Sequence, residues 1–101
     1  MVFFHCKLIA PRVTFAQDMT EAEKGLMGIH GGYLRNLAEK GVAVLFGPVM
    51  DPKGAWGLAI VEAANESEVH ALLANDPVIK AGIGFQYEIN PMAQAVLRKG
   101  L

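Results

Sequence analysis

The chain has 101 residues, 52% of them apolar and 19% charged, with a net charge of −1. This composition excludes a disordered chain and predicts one domain over residues 1–101 with a single core. Lys and Arg are scattered, which leaves no basic footprint for nucleic acid or an anionic membrane, and no apolar run approaches the roughly 20 residues of a spanning helix.

Val2–Ile9 alternates as a strand, with Phe4, Cys6 and Leu8 on one face and Phe3, His5 and Lys7 on the other. The opening MVFFHCKLIAPR has no basic leader and no small-residue cleavage site, so it reads as this strand and not as a signal sequence. Cys6 is the only cysteine; it rules out an intrachain disulfide and fits a reducing cytoplasm. Inside an apolar strand it reads as packing rather than as a nucleophile. Ala10–Asp18, opened by Pro11, reads as a loop.

Thr20 and Glu23 have the spacing of a capping box, the hydroxyl accepting a free helix N–H while the carboxylate returns to the cap. The helix that follows runs to Lys40 and stops at Gly41. At about 100° per residue, Leu26, Met27, Tyr33, Leu34 and Leu37 fall within roughly 60° of His30 on this helix. His30 therefore stands on the apolar stripe, where a buried imidazole needs a hydrogen-bond partner or a solvent-lined pocket. Two readings stay open: a core histidine bonded to a backbone carbonyl, or a proton-transferring group suited to neutral pH. Gly25, Gly28 and Gly32 cluster on the opposite side of the helix, where either another backbone approaches closely or the helix tolerates the loss of propensity.

Val42–Val49 is the second strand, ending in Gly47-Pro48. Asp51-Pro52-Lys53-Gly54 is a turn, and Trp56–Ala63 returns as the third strand, completing a hairpin. Asn65 or Ser67 caps a second helix through Ala74, with Val69, Leu72 and Leu73 inward and His70 in solvent. Asp76-Pro77 opens a helical turn over Val78–Ala81, with Asp76 as the cap and proline in the first position. Gly82 and Gly84 end it. Phe85–Asn90 is the fourth strand, Pro91 interrupts it, and Met92–Leu97 is a short fifth strand or a tail.

The order β-α-β-β-α-β predicts an α+β protein of the ferredoxin-like type, an antiparallel sheet with two helices on one face. The other sheet face would carry apolar side chains into water unless covered. A homodimer, sheet against sheet, is therefore expected.

The chemistry-bearing residues exclude several classes. Gly25–Gly32 lies inside a helix and makes no phosphate loop. His5, His30 and His70 fall on separate elements without a metal-ligand pattern, and Ser67, the one serine, sits at a helix start. No metal or cofactor is called for. His30 with a carboxylate remains, and Asp18, Glu23, Asp51, Asp76 and Glu88 are the candidates. Glu23 is accounted for by its box and Asp51 by its turn. Asp76 is an ideal cap, yet a capping carboxylate can still accept from an imidazole on a neighbouring helix. Arg12, Tyr33, Trp56 and Phe85 are candidate substrate contacts. Arg12 would hold an anionic or phenolic group unless it is a solvated loop arginine, and the aromatic residues would form walls unless they are core.

The stretches PRVTFAQDMTEAEKGLMGIHGGYL, FGPVMDPKGAWGLAIVEA and NDPVIKAGIGFQYEINPM resemble the YCII-related (YciI-like) proteins of bacteria. The resemblance runs from Phe3 to Leu97, strongest at M-x-x-H, G-P-V, W-G and D-P. It implies a dimeric α+β barrel of ferredoxin-like subunits and a His–Asp active site, which fall here on His30 and Asp76. One relative is a dehydrochlorinase that removes HCl from a chlorinated hydroxyhydroquinone. The expected function is a cofactor-independent acid/base enzyme, a lyase or isomerase, acting on a small molecule for which an aromatic ring is one option. The alternative is a non-catalytic dimer that binds a small ligand or regulates a partner.

Overall fold

A computed structural model describes residues 1–101. Its elements are β1 (Val2–Ile9), α1 (Phe15–Asp18), α2 (Glu21–Glu39), β2 (Ala43–Val49), β3 (Trp56–Ala63), α3 (Glu66–Ala74), α4 (Pro77–Lys80) and β4 (Gln86–Pro91). The strands form one sheet in the order β2-β3-β1-β4, every neighbouring pair antiparallel. β1 and β2 run the same way on either side of β3, linked through α2. β3 and β4 do so on either side of β1, linked through α3 and α4. This is the ferredoxin-like α+β fold.

Strand alternation explains the core. Phe4, Cys6 and Leu8 of β1 and Ala59, Val61 and Ala63 of β3 are buried on the helix side, where Val69 and Leu73 of α3 meet most of them. A register slip between Ala43 and Leu45 puts an extra residue into β2. Ala43 and Phe46 therefore both pack against core residues, while Leu45 lies opposite Ile60 and stays 42% exposed.

The local signals at the helix ends produce their caps. The Thr20 hydroxyl accepts from the Glu23 N–H at 3.1 Å and the Glu23 carboxylate accepts from the Thr20 N–H at 2.9 Å. Gly41 has φ +79°, so that its own N–H reaches Ala38 O and the Val42 N–H reaches Leu37 O. Asn65, not Ser67, caps α3.

Two expectations change, and one left open is decided. The segment expected as a loop over Ala10–Asp18 contains α1, a single turn that follows Thr14 and inserts Phe15 beside Leu8, Val78 and Phe85. Phe85 precedes β4, because Gly84 (φ +110°) turns the chain there, and pairing with β1 begins at Gln86. Met92–Leu97 makes no fifth strand: after Pro91, only the Met92 N–H continues toward β1, donating to Phe3 O at 2.9 Å. The helical glycines are free of close neighbours, since a Cβ at Gly25, Gly28 or Gly32 would meet nothing within 4 Å. No helix is long and apolar enough to cross a membrane.

Candidate functional site

His30 lies midway along α2, on the face turned toward the start of α4, and Asp76 is the residue that caps α4. The structure brings the two together. Asp76 Oδ2 lies 2.8 Å and Oδ1 3.0 Å from His30 Nδ1. Asp76 is completely buried and His30 is 8% exposed. A buried carboxylate is costly unless its lone pairs are met, and here three donors converge on it. The Val78 N–H donates to Oδ1 at 3.1 Å as the helix cap, His30 Nδ1–H donates, and the Tyr87 hydroxyl donates to Oδ2 at 2.7 Å. One carboxylate therefore ends a helix and ties α2 to β4.

The acceptor at Nδ1 fixes the tautomer, with the proton on Nδ1 and a lone pair on Nε2. Every buried side-chain nitrogen and oxygen has a hydrogen-bond partner. Nε2 has none within the protein, so it is the atom the ring presents outward. His30 lines a cavity of about 290 Å³ whose walls include Leu8, Phe15, Met27, Phe46, Phe85 and Tyr87. No Lys, Arg, Asp or Glu is in the lining. Gly57 helps to form the space because it faces inward with no side chain; a Cβ there would stand 3.2 Å from the Leu8 Cβ.

The remaining expected site residues divide. Trp56 and Phe85 line the cavity. The indole of Trp56 is held from outside, its Nε1–H donating to Asp51 at 3.2 Å and Lys7 Nζ lying 4.8 Å from the ring centre. Phe85 meets Phe15 edge to face at 5.1 Å. Tyr33 and Arg12 are not among the lining residues. The Tyr33 hydroxyl donates to Leu72 O at 2.7 Å, bonding α2 to α3, and burial, with Asp76 nearby, raises its pKa. Arg12 forks onto Glu23 at 2.7 and 2.8 Å and donates to Asp18 at 2.8 Å. Two carboxylates already occupy the guanidinium expected to hold an anionic or phenolic group, and it lies over the ring of Phe15, 5.1 Å from its centre. Its bond to Glu23, followed by the Thr20 N–H, holds the Glu23 carboxyl down at about 2.

Tyr87 was not legible as a site residue. The signal available was its place on β4, where alternation with Gln86 and Glu88 turns it inward. An inward tyrosine needs a partner for its hydroxyl, and the completely buried Asp76 is that partner.

A family model described as the YCII-related domain matches residues 7–93. Among solved structures, the chain is similar to 5-chloro-2-hydroxyhydroquinone dehydrochlorinase from Burkholderia phenoliruptrix AC1100, whose structure holds 2,5-dihydroxybenzoquinone. The two share 26% identity at a TM-score of 0.57, over 84% of this chain and 90% of that one. Among curated proteins none matches.

Proposed function

The chain belongs to the YCII-related family, and from that premise we propose that it is an acid/base enzyme of the lyase or isomerase kind, acting on a small, uncharged, largely apolar molecule. The observation that carries this reading is the pairing of His30 Nδ1 with a completely buried Asp76, 2.8 Å away, beside an apolar cavity that the same imidazole lines. His30 Nε2 takes a proton from the substrate. The electron pair left behind moves into the adjoining bond, and in an elimination the leaving group departs with its own pair. Asp76 holds the tautomer and stabilises the imidazolium that forms. The apolar, uncharged wall strengthens that attraction by excluding water, and it offers nothing to offset the desolvation of a carboxylate or phosphate on the ligand. Dehydrochlorination of a hydroxylated aromatic ring, the reaction named for the similar structure, has this form. The working unit is a homodimer in the cytoplasm, joined through the outer sheet face. The side chains named are sufficient for the proton transfer, without a cofactor.

A second reading has its own support. Among the lining side chains only His30, Trp56 and Tyr87 carry nitrogen- or oxygen-bound hydrogen, and the last two already donate to Asp51 and Asp76. No free side-chain donor besides His30 stands ready to receive a developing oxyanion, which suits a module that binds a ligand without turning it over.

One experiment separates the two. Chlorinated and unchlorinated hydroquinones are incubated with the protein while halide release and carbon-bound deuterium exchange are followed. The enzyme reading expects turnover that falls by roughly 10²–10⁴-fold in His30→Gln and in Asp76→Asn, the usual worth of positioned acid/base groups, with both variants folded. Saturable binding without turnover in the parent, and altered affinity alone in the variants, would establish the binding module instead.

A further inference from the structure

Asp76 has two neighbours that compete for its charge. Oδ2 is shared between His30 Nδ1–H at 2.8 Å and the Tyr87 hydroxyl at 2.7 Å, and both bonds run through a group with no solvent exposure. Hydrogen bonds to a buried carboxylate are among the stronger ones, and each draws charge from the other. We propose that Tyr87 is the third member of this site, a positioning residue that acts through Asp76: it fixes the rotation of the carboxylate and limits how much of its charge reaches His30. The inference rests on the acid/base reading and extends it to a residue that neither the local sequence nor the family match assigns.

Three observations carry it. The phenol ring lines the cavity while its hydroxyl points to Asp76, so one side chain faces both the cavity and the carboxylate. Val78 N–H holds Oδ1 from the other side, leaving the carboxylate no freedom to rotate while both donors are in place. The phenol also remains a donor, because burial, reinforced by its bond to Asp76, pushes its pKa far above the ordinary phenolic range. The other ionisable groups gathered here are Tyr33 of α2 and Cys6 of β1, both displaced upward by burial. They keep their protons at neutral pH. Asp76 is therefore the charge that His30 senses, and Tyr87 the donor that moderates it.

The test follows the ring C2–H signal of His30 against pH by NMR in the whole protein, with His5 and His70 as internal controls. Loss of the phenolic donor in Tyr87→Phe leaves more carboxylate charge on His30. Its proton affinity is expected to rise on the order of threefold to tenfold, with the two control signals unmoved. Asp76→Asn is expected to lower it. A His30 midpoint within twofold of the parent in Tyr87→Phe, with Asp76→Asn effective, overturns the role of Tyr87 and leaves the pair intact. If Asp76→Asn also changes nothing, the pair falls, and the Tyr87 proposal with it. Should Tyr87→Phe fail to fold, 3-fluorotyrosine in place of Tyr87 preserves shape and donates more strongly. His30 proton affinity must then fall; an unchanged value overturns the proposal.

Discussion

Arg12 illustrates how a charged residue near a cavity can serve the fold. Its fork onto Glu23 and its bond to Asp18 join α1 to the first turn of α2, and through Phe15, Ala16 and Met19 this segment lines the cavity. Glu23 is held at about 2, first by Arg12 and then by the Thr20 N–H, and Asp18 is lowered by Thr14 and Arg12. A carboxylate depressed in the folded state stabilises it above the unfolded value and loses that contribution as pH falls through the folded one. For Glu23 the window is pH 4.5 down to about 2. Glu23→Gln is expected to flatten the decline of the urea midpoint across that window, and a decline as steep as the parent's would remove Glu23 from the acid response. Cys6 behaves oppositely: burial pushes its thiol up to about 11. An aromatic disulfide reagent at pH 8 should leave it unreacted in the native protein and modify it on unfolding. Rapid native labelling would contradict its place in the core.

At the scale of elements, α2 tolerates four glycines with open space around them. Gly28 and Gly32 are exposed, so Gly28→Ala and Gly32→Ala should each stabilise by up to about 1 kcal/mol. The double variant should melt several degrees higher, given roughly 4–8 °C per kcal/mol at this size. A lower melting temperature would mean that something approaches this face in the assembled protein. The elements readable in the sequence were those whose ends carry local chemistry. Thr20 with Glu23, Gly41, Asn65 and Asp76-Pro77 mark helix termini through bonds made within five residues, and Phe4, Cys6 and Leu8 mark a face by simple alternation. α1 was hidden because its four residues have no period to read and are held by Phe15, whose partners lie on β1, on α4 and before β4. The end of β2 nearest the hairpin faces as it does because of an extra residue that alternation cannot foretell. In the site, His30 was visible as a polar residue on an apolar stripe. Tyr87 depends on a contact 11 residues away in sequence, and the double engagement of Arg12 on partners 6 and 11 residues away, which no local pattern records.

For the whole molecule, the outward sheet face is where the proposed dimer would join. Leu45, Leu58 and Ile60 form its apolar half on β2 and β3, and Lys7, Glu62 and Glu88 lie around it. On the proposed dimer, light scattering should give about twice the chain's 10.9 kDa. Ile60→Asp should return a folded monomer, because it places a charge where the two sheets would meet. A parent protein that is monomeric at micromolar concentration would refute the dimer. The strand order has another effect, in time. β4, the last of these four strands along the chain, pairs with β1, the first of them, and it carries Tyr87. During synthesis, one edge of β1 must wait through some 75 residues of chain before its partner exists, a long loop to close. A nascent chain that has already brought His30 to Asp76 still lacks Tyr87, the lining residue that β4 supplies. On the proposed acid/base reading, proton transfer would wait for β4, and removal of residues 86–101 should leave no partial activity.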